Sequence, residues 1–276
     1  MTQEHTSMPS ASVDPSSAES HPETAPLSGH RFLVIGGTSG IGLALSSLLA
    51  RRGASVVSTG RNEARLEALE PVNGISRRHL TDAADFDLVD RLVAELASDQ
   101  DQGGLQGIVN CAGSILLRPA HLTSADQLAE TLKQNLVTSF SVVRAAGRHL
   151  AREGGAVVLF STAAVRLGLA SHEAIAAAKG GVEGLVRAAA ATYADKALRF
   201  NAVAPGLVDT PMAERIVGNK AGREASTSLH ALGRLGRAED PARVAAFLLD
   251  PANDWITGQV LGVDGGLGSV RSHGRR

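Results

Sequence analysis

Beyond residue 30 the chain alternates between short runs of β-branched and aliphatic residues and longer stretches in which apolar residues recur at helical spacing. Such runs suit strands buried on both faces, and their alternation with helices predicts an α/β architecture with a parallel sheet covered by helices. The predicted strands are Arg31–Ile35, Ser55–Thr59, Gly74–Leu80, Leu105–Asn110, Ala156–Phe160, Leu198–Val203 and Gln259–Val263. Helical patterns cover Ile41–Arg52, Asn62–Leu69, Asp85–Ala97, Ala125–Leu150, His172–Ala194 and Pro241–Leu249. Between Pro211 and Arg237, four glycines interrupt scattered apolar residues, which predicts a mobile lid-like connection with one or two short helices.

Composition narrows the picture. A chain of 276 residues that is 43% hydrophobic and 20% charged predicts one sizeable domain, here residues 29–276. The first 28 residues are rich in Ser, Pro, Ala and Thr, carry acids but no Lys or Arg, and are expected to be a disordered tail. They lack the basic start and apolar stretch of a secretory signal and the arginines of a transit peptide. Apolar runs such as Ala156–Phe160 fall far short of the ~20 residues of a membrane helix, so no membrane span is expected. A net charge of −1 gives no general attraction to nucleic acid, and the expected partner is a small molecule. Cys111 is the sole cysteine, which fits a reducing cytoplasm and precludes a cysteine-built zinc site.

The first strand runs directly into Gly36-Gly37-Thr38-Ser39-Gly40-Ile41-Gly42, followed by apolar residues at helical spacing. Gly36 permits a tight turn, Gly40 allows backbone to approach a pyrophosphate, and Gly42 lets the new helix pack closely on the sheet. Free N–H groups at the helix start then face the anion. A loop that is merely rich in glycine is the bland alternative; the order strand, turn, helix argues against it.

That spacing resembles the short-chain dehydrogenase/reductase family, and further segments agree in order. Asn110-Cys111-Ala112-Gly113 is similar to the family's segment after the fourth strand, Asn201-Ala202-Val203-Ala204-Pro205-Gly206 with Thr210 to the one at the nicotinamide end, and Val263-Asp264-Gly265-Gly266 to its near-terminal motif. The resemblance spans residues 29 to 268 and implies a Rossmann-type, doubly wound seven-stranded sheet in one domain. It implies a nicotinamide dinucleotide touched by Gly36, Thr38, Ser39, Gly40, Ile41, Gly42, Asn110, Ala112, Gly113, Lys179, Pro205, Gly206 and Thr210.

About 20 residues past the turn an NAD-binding protein of this type places an acid on the ribose 2′-hydroxyl. Here Gly60 holds that place and Arg61 follows, a planar fork of donors suited to a 2′-phosphate. NADP(H) is therefore expected in preference to NAD(H), with a solvated surface arginine as the alternative for Arg61. Two departures stand against the pattern: Ser39 where the turn often carries a basic residue, and His79 where an Asp commonly contacts adenine.

The family works with Asn, Ser, Tyr and Lys in that order, the Tyr giving the proton and the Lys lowering its pKa while holding the ribose. Carried over, these fall on Asn135, Thr162, Ile175 and Lys179. Ile175 has no proton to give or take. The only tyrosine, Tyr193, is 18 residues further along the same helix, ~27 Å away at 1.5 Å per residue. Three compensations are open. His172, one turn before Ile175 in a helix that Ser171 caps, can act as acid, or it is an ordinary exposed histidine. The substrate can be one that needs little protonation, such as an iminium or a conjugated enoyl thioester. His230 in the lid can serve, or is solvated. The expected function is NADPH-dependent reduction of a C=O, C=N or conjugated C=C group; the alternative is a cofactor-binding protein that is redox-inactive or catalyses an isomerisation or cyclisation. Ile175, Thr162, Arg166, Leu167 and Met212 are expected in a mixed apolar pocket. Small residues along the helix from His172 fit a homodimer or homotetramer, or simply close seating on the sheet.

Overall fold

The computed structural model describes residues 27–67, 75–150 and 154–271. Residues 1–26, the end of the second expected helix and Gly74 lie outside the described residues. The elements in chain order are β1 (Arg31–Ile35), α1 (Gly40–Arg51), β2 (Ser55–Gly60), α2 (Glu63–Glu67), β3 (Ile75–Leu80), α3 (Phe86–Ser98), β4 (Gly107–Asn110), α4 (Ala125–Leu132), α5 (Thr138–His149), β5 (Gly155–Phe160), α6 (Glu173–Thr192), β6 (Leu198–Pro205), α7 (Glu214–Val217), α8 (Lys220–Leu229), α9 (Glu239–Leu249) and β7 (Val260–Val263).

The strands form one parallel seven-stranded sheet in the order β3-β2-β1-β4-β5-β6-β7, a Rossmann-like α/β fold. Its central strands are buried on both faces, which is why they read as unbroken apolar runs. One face carries Leu33, Ile108, Val157 and Phe200 against α3, α5 and α6; the other carries Phe32, Val109 and Val158 against α1 and α9. Local chemistry starts the helices. Asp85 accepts from the N–H groups of Asp87 and Leu88 to begin α3, and Ser124 with Gln127 forms a reciprocal cap on α4. The order reverses between β1 and β4, so the loops after those two strands open a crevice at the carboxyl edge of the sheet.

Three expectations need correction. Leu27 is 2% exposed and donates its N–H to Arg52 O, so the ordered chain begins before residue 29. The single helix expected over Ala125–Leu150 is divided into α4 and α5 by a π-helical turn, Lys133–Val137. Ser171 does not cap α6: it has φ +63°, and His172 is the N-cap, without a side-chain cap bond. The Pro211–Arg237 segment carries the expected short helices, α7 and α8, with a small cluster of Ala213, Val217 and Leu235 and the ion pairs Arg223–Asp209 and Arg234–Asp240.

Candidate active site

At the end of β1 the N–H groups of Gly36 and Gly37 both donate to Thr59 O, at 3.1 and 3.0 Å, and fold the chain over β2. Gly36 has φ +77°, and a Cβ there would stand 2.9 Å from Ala112 N, so the turn presses on the loop after β4. A Cβ on Gly42 would stand 2.2 Å from Gly36 O; only glycine lets α1 begin so close to the turn. Ser39 caps α1 in an extended conformation and makes no side-chain bond to it, which leaves the first N–H groups open to a ligand. Thr210 approaches from beyond β6: its side chain would lie 3.3 Å from a Cβ on Gly40, so residues far apart in sequence flank one cradle. Open donors at a helix start, with glycines where side chains would intrude, fit a dinucleotide pyrophosphate.

The carboxyl end of β2 bears on the choice of dinucleotide. A Cβ on Gly60 would lie 2.6 Å from Thr38 Cγ2, so a side chain at this place would require the Thr38 side chain to turn aside; the acid of an NAD site is absent here. Arg61, next along, is exposed, with no carboxylate partner among the described residues.

Asn110 is a strut. Its Nδ2 donates to Thr138 Oγ1 and Ser139 Oγ, and its Oδ1 accepts from Ala112 N–H, fixing the loop after β4 to α5. Asn135 lies within the π-helical turn, and such turns are common at functional sites. Its Oδ1 accepts from Ser114 N–H at 3.2 Å and its Nδ2 donates to Thr131 O and Ser114 Oγ. Above Gly113, the place of an added Cβ is 2.9 Å from Asn135 Oδ1 and 3.6 Å from Lys179 Nζ, so that glycine leaves the two side chains facing one point.

Lys179 is 8% exposed and donates from Nζ to Phe160 O at 2.8 Å. Burial disfavours its charge and pulls its pKa down to about 8, and burial likewise pushes the Cys111 thiol beside it up to about 12. One turn earlier, Ile175 is 5% exposed, and its side chain lines the same cavity. Thr162 Oγ1 accepts from Ala164 N–H, which leaves its hydroxyl proton free to donate into the cavity. Ser161, its neighbour, donates to Glu183 Oε1 at 2.9 Å and so holds the end of β5 to α6.

These groups line one cavity of about 450 Å³ whose walls are otherwise apolar: Leu117, Leu169, Leu207, Val208, Met212 and Leu229 among them. Asn135, Thr162, Lys179, His172, Gly113, Ile41, Pro205, Gly206 and Thr210 all meet there. Arg166 and Leu167 do not: Arg166 Nη2 instead donates to Val260 O. His172 is half-buried on the wall, its Nδ1 2.7 Å from Ala170 O, an arrangement that assigns the proton to Nδ1 and leaves Nε2 able to donate only in the imidazolium form. His230 is not solvated but 3% exposed; Ser226 O is 2.8 Å from its Nδ1, and its Nε2 accepts from Leu207 N–H. With both nitrogens engaged it is a brace between α8 and the loop after β6 rather than a donor to the cavity. Tyr193 ends α6 and packs its ring, tilted by 35°, against Phe200, where it fills the space above Gly147. The Ser114 and Glu183 contacts escape sequence reasoning because they depend on loops meeting across the sheet edge. Gly206 and Gly265, which pack on His230, are distant from it in sequence, so nothing local signals its burial.

Comparison with known proteins agrees with this fold. A family profile described as enoyl-(acyl carrier protein) reductase matches residues 36–268. A tropinone reductase homolog of Arabidopsis thaliana is 35% identical over 246 residues, covering 87% of this chain and 93% of its own. The structure of a short-chain type dehydrogenase/reductase from Mycobacterium ulcerans superposes with a TM-score of 0.81 at 31% identity, over 88% of this chain and 90% of that one. A putative NAD(P)-dependent gluconate 5-dehydrogenase from Beutenbergia cavernae, solved with NADP bound at low occupancy, gives 0.80 at 31% identity over 88% and 98%.

Proposed function

We propose that this chain, which belongs to the short-chain dehydrogenase/reductase family, is an NADP(H)-dependent oxidoreductase that reduces a C=O, C=N or conjugated C=C group of a small molecule without a tyrosine proton source. The observation that carries the reading is the meeting of Lys179 and Asn135 above Gly113, at the foot of an apolar cavity that continues toward the open start of α1. A bound dinucleotide supplies the hydride. The chain's own part is to hold and orient: the α1 N–H groups and Thr210 take the pyrophosphate, Lys179 the nicotinamide ribose, and Thr162 the substrate oxygen. NADP(H) is favoured over NAD(H) because Gly60 carries no acid and Arg61 offers its guanidinium beside it.

Ile175 decides the chemistry. Losing a general acid costs about 10²–10⁴ in rate, so the substrate is one whose reduction needs little protonation, or His172 gives the proton as imidazolium. A second reading, a cofactor-binding member that is redox-inactive or isomerises its ligand, is favoured by that same isoleucine. The protein acts as a homodimer or homotetramer; the exposed Phe140 on α5 and the open space at Gly184 on α6 support pairing through those helices. No helix among the described residues is long and apolar enough to cross a membrane, and we place the protein in the cytoplasm. The test is NADPH oxidation against a panel of ketones, imines and enoyl thioesters: turnover of any class supports reduction, and binding of NADPH with no turnover of any class favours the second reading.

A further inference from the structure

Removing the tyrosine hydroxyl changes the neighbourhood of Lys179 as well as the supply of protons. Its Nζ has one acceptor, Phe160 O, and no ion-pair partner among the described residues. Ile175 and Gly113 flank it, and it opens onto a cavity of about 450 Å³. The cavity lining contains no Asp, Glu or Arg; Cys111, His172, His230 and Lys179 are its titratable groups, and His230 is engaged at both nitrogens. A desolvated amine beside an apolar cavity is the setting in which lysines attack carbonyl groups.

We propose that Lys179 is a carbonyl-capturing amine, condensing with the aldehyde or ketone group of a neutral, apolar molecule held against Ile175. In the step, the Nζ lone pair attacks the carbonyl carbon and one amine proton passes to the oxygen to give a carbinolamine; its C–O bond then breaks, the oxygen leaves as water with the second amine proton, and a C=N bond remains. The Thr162 hydroxyl is placed to donate to the departing oxygen. Once protonated, the imine withdraws electrons from the former carbonyl carbon as a phenol proton would have done. No oxidant or reductant enters. Burial sets the amount of reactive amine: a pKa of about 8 rather than 10.5 leaves about 300-fold more free amine at neutral pH.

The proposal shares the pocket of the redox reading but needs no dinucleotide, so the two fail separately. The full chain, free of dinucleotide, is incubated at pH 7 with benzaldehyde and cyanoborohydride, which reduces the imine to a stable benzylamine, and digested for peptide mass mapping. The chain has four lysines, and Lys133, Lys196 and Lys220 are all exposed, so they serve as internal comparators, while the terminal α-amine reports that the reagent is active. Expected is modification of Lys179 at least 10-fold faster than of the three exposed lysines, rising with a midpoint near pH 8. Labelling of the α-amine with Lys179 unmodified, or modified no faster than the other lysines, overturns the proposal. A fluorescence titration with NADPH on the same preparation reports the redox reading independently.

Discussion

Replacing Lys179 by Met removes a buried charge while keeping a chain of similar length, and the structure predicts that the apoprotein becomes more stable at neutral pH. Burial lowers the ammonium pKa from 10.5 to about 8, which at 1.36 kcal/mol per unit is a penalty of about 3 kcal/mol on the charged form. Against it stands the hydrogen bond to Phe160 O, whose loss leaves that carbonyl short of a donor at about 1–2 kcal/mol. The net gain for Lys179→Met at pH 7 is therefore about 1–2 kcal/mol, a rise of a few degrees in Tm for a chain of this size. The pH dependence follows from linkage. Between about 8 and 10.5 the unfolded chain keeps the proton that the folded chain has lost, so the wild type gains stability with rising pH while the methionine variant has no such group. The advantage of the variant should shrink by about 2–3 kcal/mol between pH 7 and pH 10. Urea denaturation of both apoproteins at the two pH values measures it. A stability difference that is the same at pH 7 and pH 10 would refute the buried ammonium. NADPH affinity should fall in the variant, a stabilising change that costs function.

Further expectations follow from other residues. Ile175→Tyr places a phenol one turn from Lys179 and should create or raise ketone reduction, by no more than the ~10²–10⁴ that a general acid supplies; steady-state kinetics on a simple cyclic ketone checks it, and a well-folded variant with no gain would mean the pocket does not align a carbonyl there. Asn110→Ala strips two buried hydrogen bonds and a partly buried one from the loop after β4 and should cost about 2–4 kcal/mol in a denaturation experiment. Deleting residues 1–26 should leave Tm unchanged, whereas deleting 1–28 also removes the buried Leu27 and should cost about 1.5–3 kcal/mol; equal Tm values for the two truncations would show that Leu27 contributes nothing.

The sheet and the phosphate turn could be read from the sequence because both are local. A strand buried on both faces announces itself as an apolar run such as Val157-Val158-Leu159, and the turn as glycines at fixed offsets between a strand and a helix. Gly60 was legible as a missing acid, but its close approach to the Thr38 side chain needs two loops in place. What stayed hidden depends on contacts across the sheet edge. The π-helical turn at Asn135 interrupts a sequence whose pattern is that of one helix; in the fold its side chain bonds Ser114 as well as Thr131 one turn back. His230 lies in a glycine-rich stretch that suggests solvent, yet the fold presses it against Gly206 and Gly265. Arg166 stands four residues past Thr162, and a backbone carbonyl of β7 draws it out of the pocket.

The central claim is that the crevice holds a nicotinamide dinucleotide and selects the 2′-phosphate through Arg61 at a place where Gly60 supplies no acid. Titration of NADPH and NADH by cofactor fluorescence, in the parent protein and in Arg61→Ala, tests it directly. The account predicts NADPH bound at least ~10-fold more tightly than NADH, consistent with one charge-assisted pair of about 1.5–3 kcal/mol, with Arg61→Ala weakening NADPH alone. Equal affinities for the two dinucleotides in the parent protein would contradict it.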